Sequence, residues 1–330
     1  MLTHIGTQTI ETERLILRRF EYTDIDSMLR NWISDEKTQY DYGEPYYPTS
    51  EAVRNLFDTK YIVSYSKDDY YRWAVIEKES RECIGQIAYF TMDTKNLHGE
   101  IEYVIGPAFQ GKGYATEMTK AVIAFGFEKI KLHRVEIDCR TENTASRKVI
   151  EKCGLTYEGC FRDFFWRKGH YEGRMVFSML KEEYEEKRKE MMEGLTVKYN
   201  ELTAEQFIEL WQAVHWGEGP TLEQTRLAMA HTLFRVSIFD GEKIIAMARV
   251  NGDMGLDYYI KDVVVRPEYQ GKGVGRMLIN EILKFINDNG IKGTEIFVEL
   301  CAMPDKIPFY KKFGFDSNEA QRLRQFLKVK

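Results

Sequence analysis

Apolar and polar positions alternate along this chain in short runs of two kinds. RLILRRF (14–20), YRWAVIEK (71–78), CIGQIAYF (83–90), IEYVI (101–105) and RVEIDCR (134–140) read as strands, and KESRE turns the second into the third as a hairpin. Thr23-Asp24 opens a short helix, and Ser50 with Glu51 in the first turn opens another over 50–65. From Gly113 to about Glu128, Ala115, Met118, Val122 and Phe125 recur at helical spacing. A helix over 143–153 and two strands near 155–165 and 171–180 close this half. KEEYEEKRKEMMEG (181–194) is polar nearly all round and reads as a solvated linker helix. TVKYNEL then starts a second series: helices over 203–215 and 221–231, a hairpin in FRVSIFDGEKIIAMARV turning at Asp240-Gly241, strand 260–265, helix 273–289, strand 294–300 and helix 305–313. The aromatic cluster Tyr40, Tyr42, Tyr46 and Tyr47 falls in a Gly/Pro-containing loop.

The two series are one plan used twice. EYVIGPAFQGKGYA (102–115) stands against DVVVRPEYQGKGVG (262–275), and IEKCGL (150–155) against YKKFGF (310–315), both at an offset of 160. Two separated blocks in one register point to a duplication or a fusion of distant relatives. Strands and helices alternate in an order that gives, in each copy, an α/β fold with a mixed, mostly antiparallel sheet flanked by helices. A chain of 330 residues is also long for one core.

Composition narrows the class. The net charge of −5 lacks the basic excess of a nucleic-acid protein, and no run approaches the ~20 apolar residues of a membrane span. Residues 1–20 have no apolar signal-peptide core. Cys83, Cys139, Cys153, Cys160 and Cys301 include no C-x-x-C pair, which fits free thiols in the cytoplasm; Cys139 and Cys153 read as small buried hydrophobes. His98, His133 and the His170/Glu172 pair lack metal-ligand spacing, so no metal is expected.

Each QGKG segment follows an apolar strand and opens an amphipathic helix. Unpaired amides at a helix N-terminus, together with the helix dipole, make an anion site. Glycines let the main chain approach a phosphate closely. Lys112 and Lys272 add positive charge, so the chemistry suggested is binding of a pyrophosphate. The dinucleotide pattern G-x-G-x-x-G fails at Thr116 and Arg276, and the Walker A pattern breaks at Gly113 in one copy and Arg266 in the other.

QGKGYA and QGKGVG resemble the Q/R-x-x-G-x-G/A motif of the GCN5-related N-acetyltransferase (GNAT) superfamily, and the resemblance extends over nearly the whole chain. It implies acetyltransferase domains at 1–180 and 195–330 joined by the 181–194 helix, and acetyl-CoA as cosubstrate. Its pyrophosphate would lie on Gln110, Gly111, Lys112, Gly113, Tyr114 and Ala115, and on Gln270, Gly271, Lys272, Gly273, Val274 and Gly275. The first copy, through ETERLILRRF, GEIEYVIGPAFQGKGYATE and ENTASRKVIEKCGL, is similar to the branch containing ribosomal-protein N-terminal acetyltransferases. That likeness implies Asn143 and Ser146 beside the pantetheine and sulfur; the second copy resembles the shorter general type, with Tyr310 facing the sulfur.

Transfer of acetyl from a thioester to an amine needs a base for the amine, a donor to the developing oxyanion and a proton for the thiolate. The fold implies an oxyanion amide within 102–106 and within 262–266. Base candidates are Glu100, Glu102 and Asp262, the last two at one place in the repeat; Glu100 holds the family's more usual position. Tyr310 is the acid candidate of the second copy, whereas the first has Ile150 there and Ser146 as an alternative donor. The two sites therefore differ in chemistry. The expected activity is N-acetylation of a primary amine, either a protein N-terminus or a small molecule, with no nucleic-acid or membrane partner, by a monomer that is its own pseudo-dimer or by a homodimer. An alternative is an acyl-CoA-binding module in which one copy is inactive. Tyr40, Tyr42, Tyr46 and Tyr47, and Phe164, Phe165 and Trp166, serve either packing or an acceptor cleft.

Overall fold

A computed structural model describes residues 2–316. The end of the proposed second domain, 317–330, lies outside them. In chain order the first half runs β1 (Ile10–Glu11), β2 (Leu15–Arg18), α1 (Ile25–Met28), α2 (Glu36–Tyr42), α3 (Ser50–Leu56), α4 (Ile62–Ser64), β3 (Tyr71–Glu77), β4 (Cys83–Asp93), β5 (His98–Ile105), α5 (Tyr114–Phe125), β6 (Arg134–Arg140), α6 (Thr144–Cys153), β7 (Thr156–Arg167) and β8 (His170–Leu180). Helix α7 (Lys181–Glu193) follows. The second half runs β9 (Leu195–Tyr199), α8 (Ala204–Ala213), α9 (Leu222–Ala230), β10 (Phe234–Asp240), β11 (Lys243–Gly252), β12 (Asp257–Val265), α10 (Val274–Asn289), β13 (Phe297–Leu300) and α11 (Ile307–Tyr310).

These strands form two mixed sheets, in the orders β1-β2-β3-β4-β5-β6-β8-β7 and β13-β12-β11-β10-β9. Both are antiparallel except at one place each, where β5 meets β6 and β12 meets β13 in parallel. Each sheet has apolar layers on both faces, as its strand pattern requires. In the first, Trp73, Val75, Ile87 and Ile101 pack with Met118 and Val122 of α5 on one side, while Ala74, Ile76 and Val104 pack with Met28, Val53 and Phe57 on the other. In the second, Val236, Ile238 and Ile260 pack with Leu278 and Ile282 of α10, and Met247 and Val264 with Phe207 and Leu210 of α8.

Trp73 is fully buried, 5.4 Å from Phe125 ring to ring, and its Nε1 donates to the Gln8 carbonyl at 2.7 Å. Trp73→Ala is expected to cost about 3–5 kcal/mol. That loss is measurable as an earlier denaturant transition followed by circular dichroism.

Three expectations need correction. Tyr40 and Tyr42 lie in α2 rather than in a loop: Asp35 caps its N-terminus by accepting from the Thr38 amide at 2.7 Å, and left-handed Gly43 ends it. Only Tyr46 and Tyr47 remain in the connection to α3. Helix α7 buries none of its residues fully, but it is more than a solvated linker. Tyr184 stacks on Phe127 of the first half at 4.9 Å, and Met192 packs against the core of the second. The expected 305–313 helix is one α turn flanked by 3-10 turns at 304–306 and 311–313.

Cys83, Cys139 and Cys153 are buried, and Cys160 and Cys301 exposed. Burial pushes the Cys139 thiol up to about 11 and Cys153 to about 12, which suits packing and not nucleophilic work. Among the described residues no helix is long and apolar enough to cross a membrane.

Candidate active site

The two QGKG turns have the same local build. After a 3-10 turn at Pro107–Phe109 or Pro267–Tyr269, the glutamine reaches back to the end of the preceding strand. Gln110 Nε2 donates to the Ile105 carbonyl at 3.0 Å, and Gln270 Nε2 to that of Val265 at 2.9 Å. Gly111 (φ 75°) and Gly113 (φ 86°) match Gly271 (φ 74°) and Gly273 (φ 103°). All four occupy the left-handed region that favours glycine. Gly113 and Gly273 are the N-caps of α5 and α10, and among the described residues no side chain caps either helix. The first-turn amides, among them those of Tyr114 and Ala115 and of Val274 and Gly275, are thus left for an outside acceptor. This build fits an anionic diphosphate, with Lys112 and Lys272 alongside.

Next to each turn the sheet splits. Parallel pairing of β5 with β6 stops at Glu100↔Glu136, and that of β12 with β13 at Ile260↔Leu300. Glu100 and Ile260 are themselves 160 apart. Beyond those points, among the described residues, 101–105 and 261–265 pair with neither β6 nor β13, so on that side the polar backbone groups other than the Ile105 and Val265 carbonyls held by the glutamines are open.

The base candidates lie in different surroundings. Glu102 forms an ion pair with Arg72 at 2.6 Å, and Asp262 with Arg249 at 2.5 Å. Both arginines are buried. Arg72 also donates to Gln86 at 3.0 Å and lies over the Tyr61 ring, and Gln86 donates to the Tyr42 hydroxyl at 3.0 Å. Asp262 sits at a bulge in β12 with φ 50°, a strained conformation for a residue with a side chain. Each of these pairs borders a cavity. One of about 530 Å³ is lined by Arg72, Glu102, Tyr70 and Phe90; one of about 480 Å³ by Arg249, Asp262, Phe207 and Trp211.

Glu100 is the different one. It is buried at the split, accepts from Arg174 Nη2 at 2.7 Å, and shares that arginine with Asp138. Burial, and then the neighbouring Asp138, push its carboxyl up to about 7 in spite of Arg174. A base poised there can hold or release a proton near neutral pH.

The acid candidates also separate. Ile150 is fully buried in the first core, so its helix position offers no donor. Asn143 caps α6, its Oδ1 accepting from the Ser146 amide at 3.0 Å. Ser146 Oγ in turn lies 2.9 Å from the hydroxyl of Tyr103 on β5. Tyr103 escaped the sequence reading because it lies on a strand, 43 residues from Ser146. Burial raises its phenol well above the ordinary value, which keeps it protonated. Tyr310 is half-buried between Phe309 and Phe315, and burial pushes its phenol up to about 12.

Of the other groups, Phe164 and Trp166 are exposed on β7, and Arg174 lies over the Phe164 ring. Glu142, His170 and Glu172 come together with their ligating atoms within 4.8 Å, closer than their sequence spacing suggested. Glu172 is already held by Arg140 at 3.0 and 3.1 Å, so its charge is matched.

Comparison with known proteins gives the family. Residues 14–156 match the acetyltransferase (GNAT) domain model, and residues 196–315 match the acetyltransferase (GNAT) family model. The N-acetyltransferase p20 of Bacillus licheniformis is 34% identical over 177 residues, covering 54% of this chain and 98% of that protein. YdaF of Bacillus subtilis (strain 168), which carries the name of a ribosomal N-acetyltransferase, is 36% identical over 101 residues, 31% of this chain and 55% of that one. A GNAT-family acetyltransferase from Bacillus anthracis of known structure is 28% identical, with a TM-score of 0.46 over 53% of this chain and 99% of its own. With both halves matched, the chain belongs to the GNAT family of N-acetyltransferases and carries two such domains in tandem.

Proposed function

We propose that the chain transfers an acetyl group from acetyl-CoA to a primary amine, a protein N-terminus or a small molecule, by direct attack of the amine on the thioester. Residues 1–180 and 195–330 act as its two domains, joined by the 181–194 helix. The observation that carries this reading is the matched pair of left-handed glycines opening an uncapped helix beside a split sheet, twice, at one offset. The residues present fit the coenzyme: amides of 111–115 and 271–275 for its pyrophosphate, and the open edges of β5 and β12 for its pantetheine.

Acetyl-CoA supplies the activated acyl group; the chain's own residues handle the protons. In the first copy Glu100 takes the proton of the incoming ammonium, since its raised pKa matches that task. The backbone of 102–106 donates to the carbonyl oxygen. Ser146, held by Asn143 and Tyr103, offers a hydroxyl to the leaving sulfur. In the second copy Tyr310 is the proton donor, with 262–266 in the amide role. There the split residue is Ile260, and Asp262 is neutralised by Arg249. That contrast favours a second reading for this half, an acyl-CoA-binding copy with little turnover of its own.

The test is thiol release from acetyl-CoA on adding peptides with a free N-terminus, polyamines or amino acids. Amine-dependent release from the unaltered chain is the expected result, and its absence across the panel overturns the enzyme reading. Tyr310→Phe separates the two copies. It is expected to lower turnover 10²-fold or more if the second copy carries the chemistry, and to leave turnover unchanged if the first does.

A further inference from the structure

Each phosphate loop is held from behind by an arginine, and the two arginines come from different places. In the first copy Arg14, just before β2, donates through Nη1 to the Lys112 carbonyl at 2.8 Å. A Cβ on Gly113 would lie 3.3 Å from Arg14 Nη2. The guanidinium is fixed by Glu117 of the α5 first turn, at 2.6 Å, and lies over the Tyr114 ring.

Among the described residues the second copy has no such pair of its own. At the place of Glu117, 160 residues on, stands Met277, packed against the core. Instead Arg188 of α7 donates through Nε to the Lys272 carbonyl at 3.0 Å and through Nη2 to the Gly271 carbonyl at 3.2 Å. A Cβ on Gly273 would lie 3.6 Å from Arg188 Nη2, nearly the relation seen at Gly113. The carboxylate that fixes Arg188 belongs to the other domain: Glu128, at 3.5 Å, which also accepts from the Tyr184 hydroxyl at 2.6 Å. Glu128 also reaches the loop itself, since its Oε2 would be 3.1 Å from a Cβ on Gly271.

We infer that Arg188, fixed by Glu128 of the first domain, is the positioning residue of the second phosphate loop and replaces in trans the Arg14–Glu117 pair. Carbonyls drawn back onto a guanidinium leave the amides of the same peptides facing outward, where an anion needs them. The second coenzyme site is therefore complete only with α7 and Glu128 in place. This role presupposes coenzyme binding at the second loop, as proposed above.

The experiment titrates acetyl-CoA calorimetrically into the full chain carrying Gly113→Glu, which leaves only the second loop to be read. Arg188→Ala is expected to weaken that binding about tenfold, the loss of two hydrogen bonds, with partial recovery in Arg188→Lys. Glu128→Gln is expected to weaken it about threefold. In the complementary Gly273→Glu chain the same changes leave the first loop's affinity unaltered. Amide exchange of the ligand-free chain gives a second readout: Arg188→Ala speeds exchange over 270–276 and not over 110–116. Equal affinity and equal exchange with and without Arg188 overturn the positioning role. No binding at the second loop even with Arg188 intact overturns the coenzyme reading of that loop and the role with it.

Discussion

Gly113→Glu is expected to abolish coenzyme binding at the first loop. Two effects add. Gly113 has φ 86°, and a side chain in that conformation costs about 1–2 kcal/mol. The larger effect is electrostatic: the residue is the N-cap of α5, where uncapped amides and the helix dipole await an anion. A carboxylate there can satisfy those amides itself and repel the pyrophosphate. Together these should weaken acetyl-CoA at least 10³-fold, about 4 kcal/mol. Calorimetry on the unaltered chain should give a stoichiometry near two, falling to one in this variant and to one in Gly273→Glu. A stoichiometry still near two in Gly113→Glu would place the first coenzyme elsewhere. One site in the unaltered chain, lost with a single variant, would make the other copy a scaffold.

The glycine turns were legible in the sequence for the same reason that this substitution should be severe. A left-handed backbone beside a phosphate is a local requirement, and glycine answers it locally. The strands around them were legible because a half-buried sheet imposes a period of two. What escaped depends on partners far away in the chain. Arg72 meets Glu102 across 30 residues, and Arg174 meets Glu100 across 74, so the sequence could name the carboxylates, and favour Glu100 by family likeness, but not the arginines that hold them. The repeat pointed to Glu102 and Asp262 because they share a register, yet in each case a buried arginine has taken the charge. Arg188 was hidden more deeply. It lies in a helix whose polarity reads as solvent exposure, and its role comes from a carboxylate in the other domain. Helix α2 escaped because Gly43, Pro45 and Pro48 lie close behind its tyrosines, and those breakers outweighed the Asp35 cap.

Glu100→Gln should produce the largest loss of turnover in the first copy. The amide keeps the shape and a hydrogen-bond acceptor for Arg174, but it cannot take a proton from the attacking amine. General bases of this kind contribute roughly 10²–10⁴ in rate. The decrease should appear in kcat, with coenzyme affinity unchanged, because Glu100 sits at the strand split and not on the phosphate loop. Measured in the Gly273→Glu chain, so that only the first loop turns over, the unaltered site should gain activity as pH rises through about 7, where Glu100 ionises. Glu100→Gln should lose that ascending limb. Stability should move in the opposite sense. A carboxyl whose folded pKa is raised from 4.5 to about 7 contributes fully below its unfolded value, and that contribution is lost as pH rises through about 7. Across this window the unaltered chain should therefore lose stability that Glu100→Gln does not. An activity limb that survives Glu100→Gln would assign the proton to another group. With Glu102 bound to Arg72, the next carboxylate to test is Asp138, which shares Arg174 with Glu100.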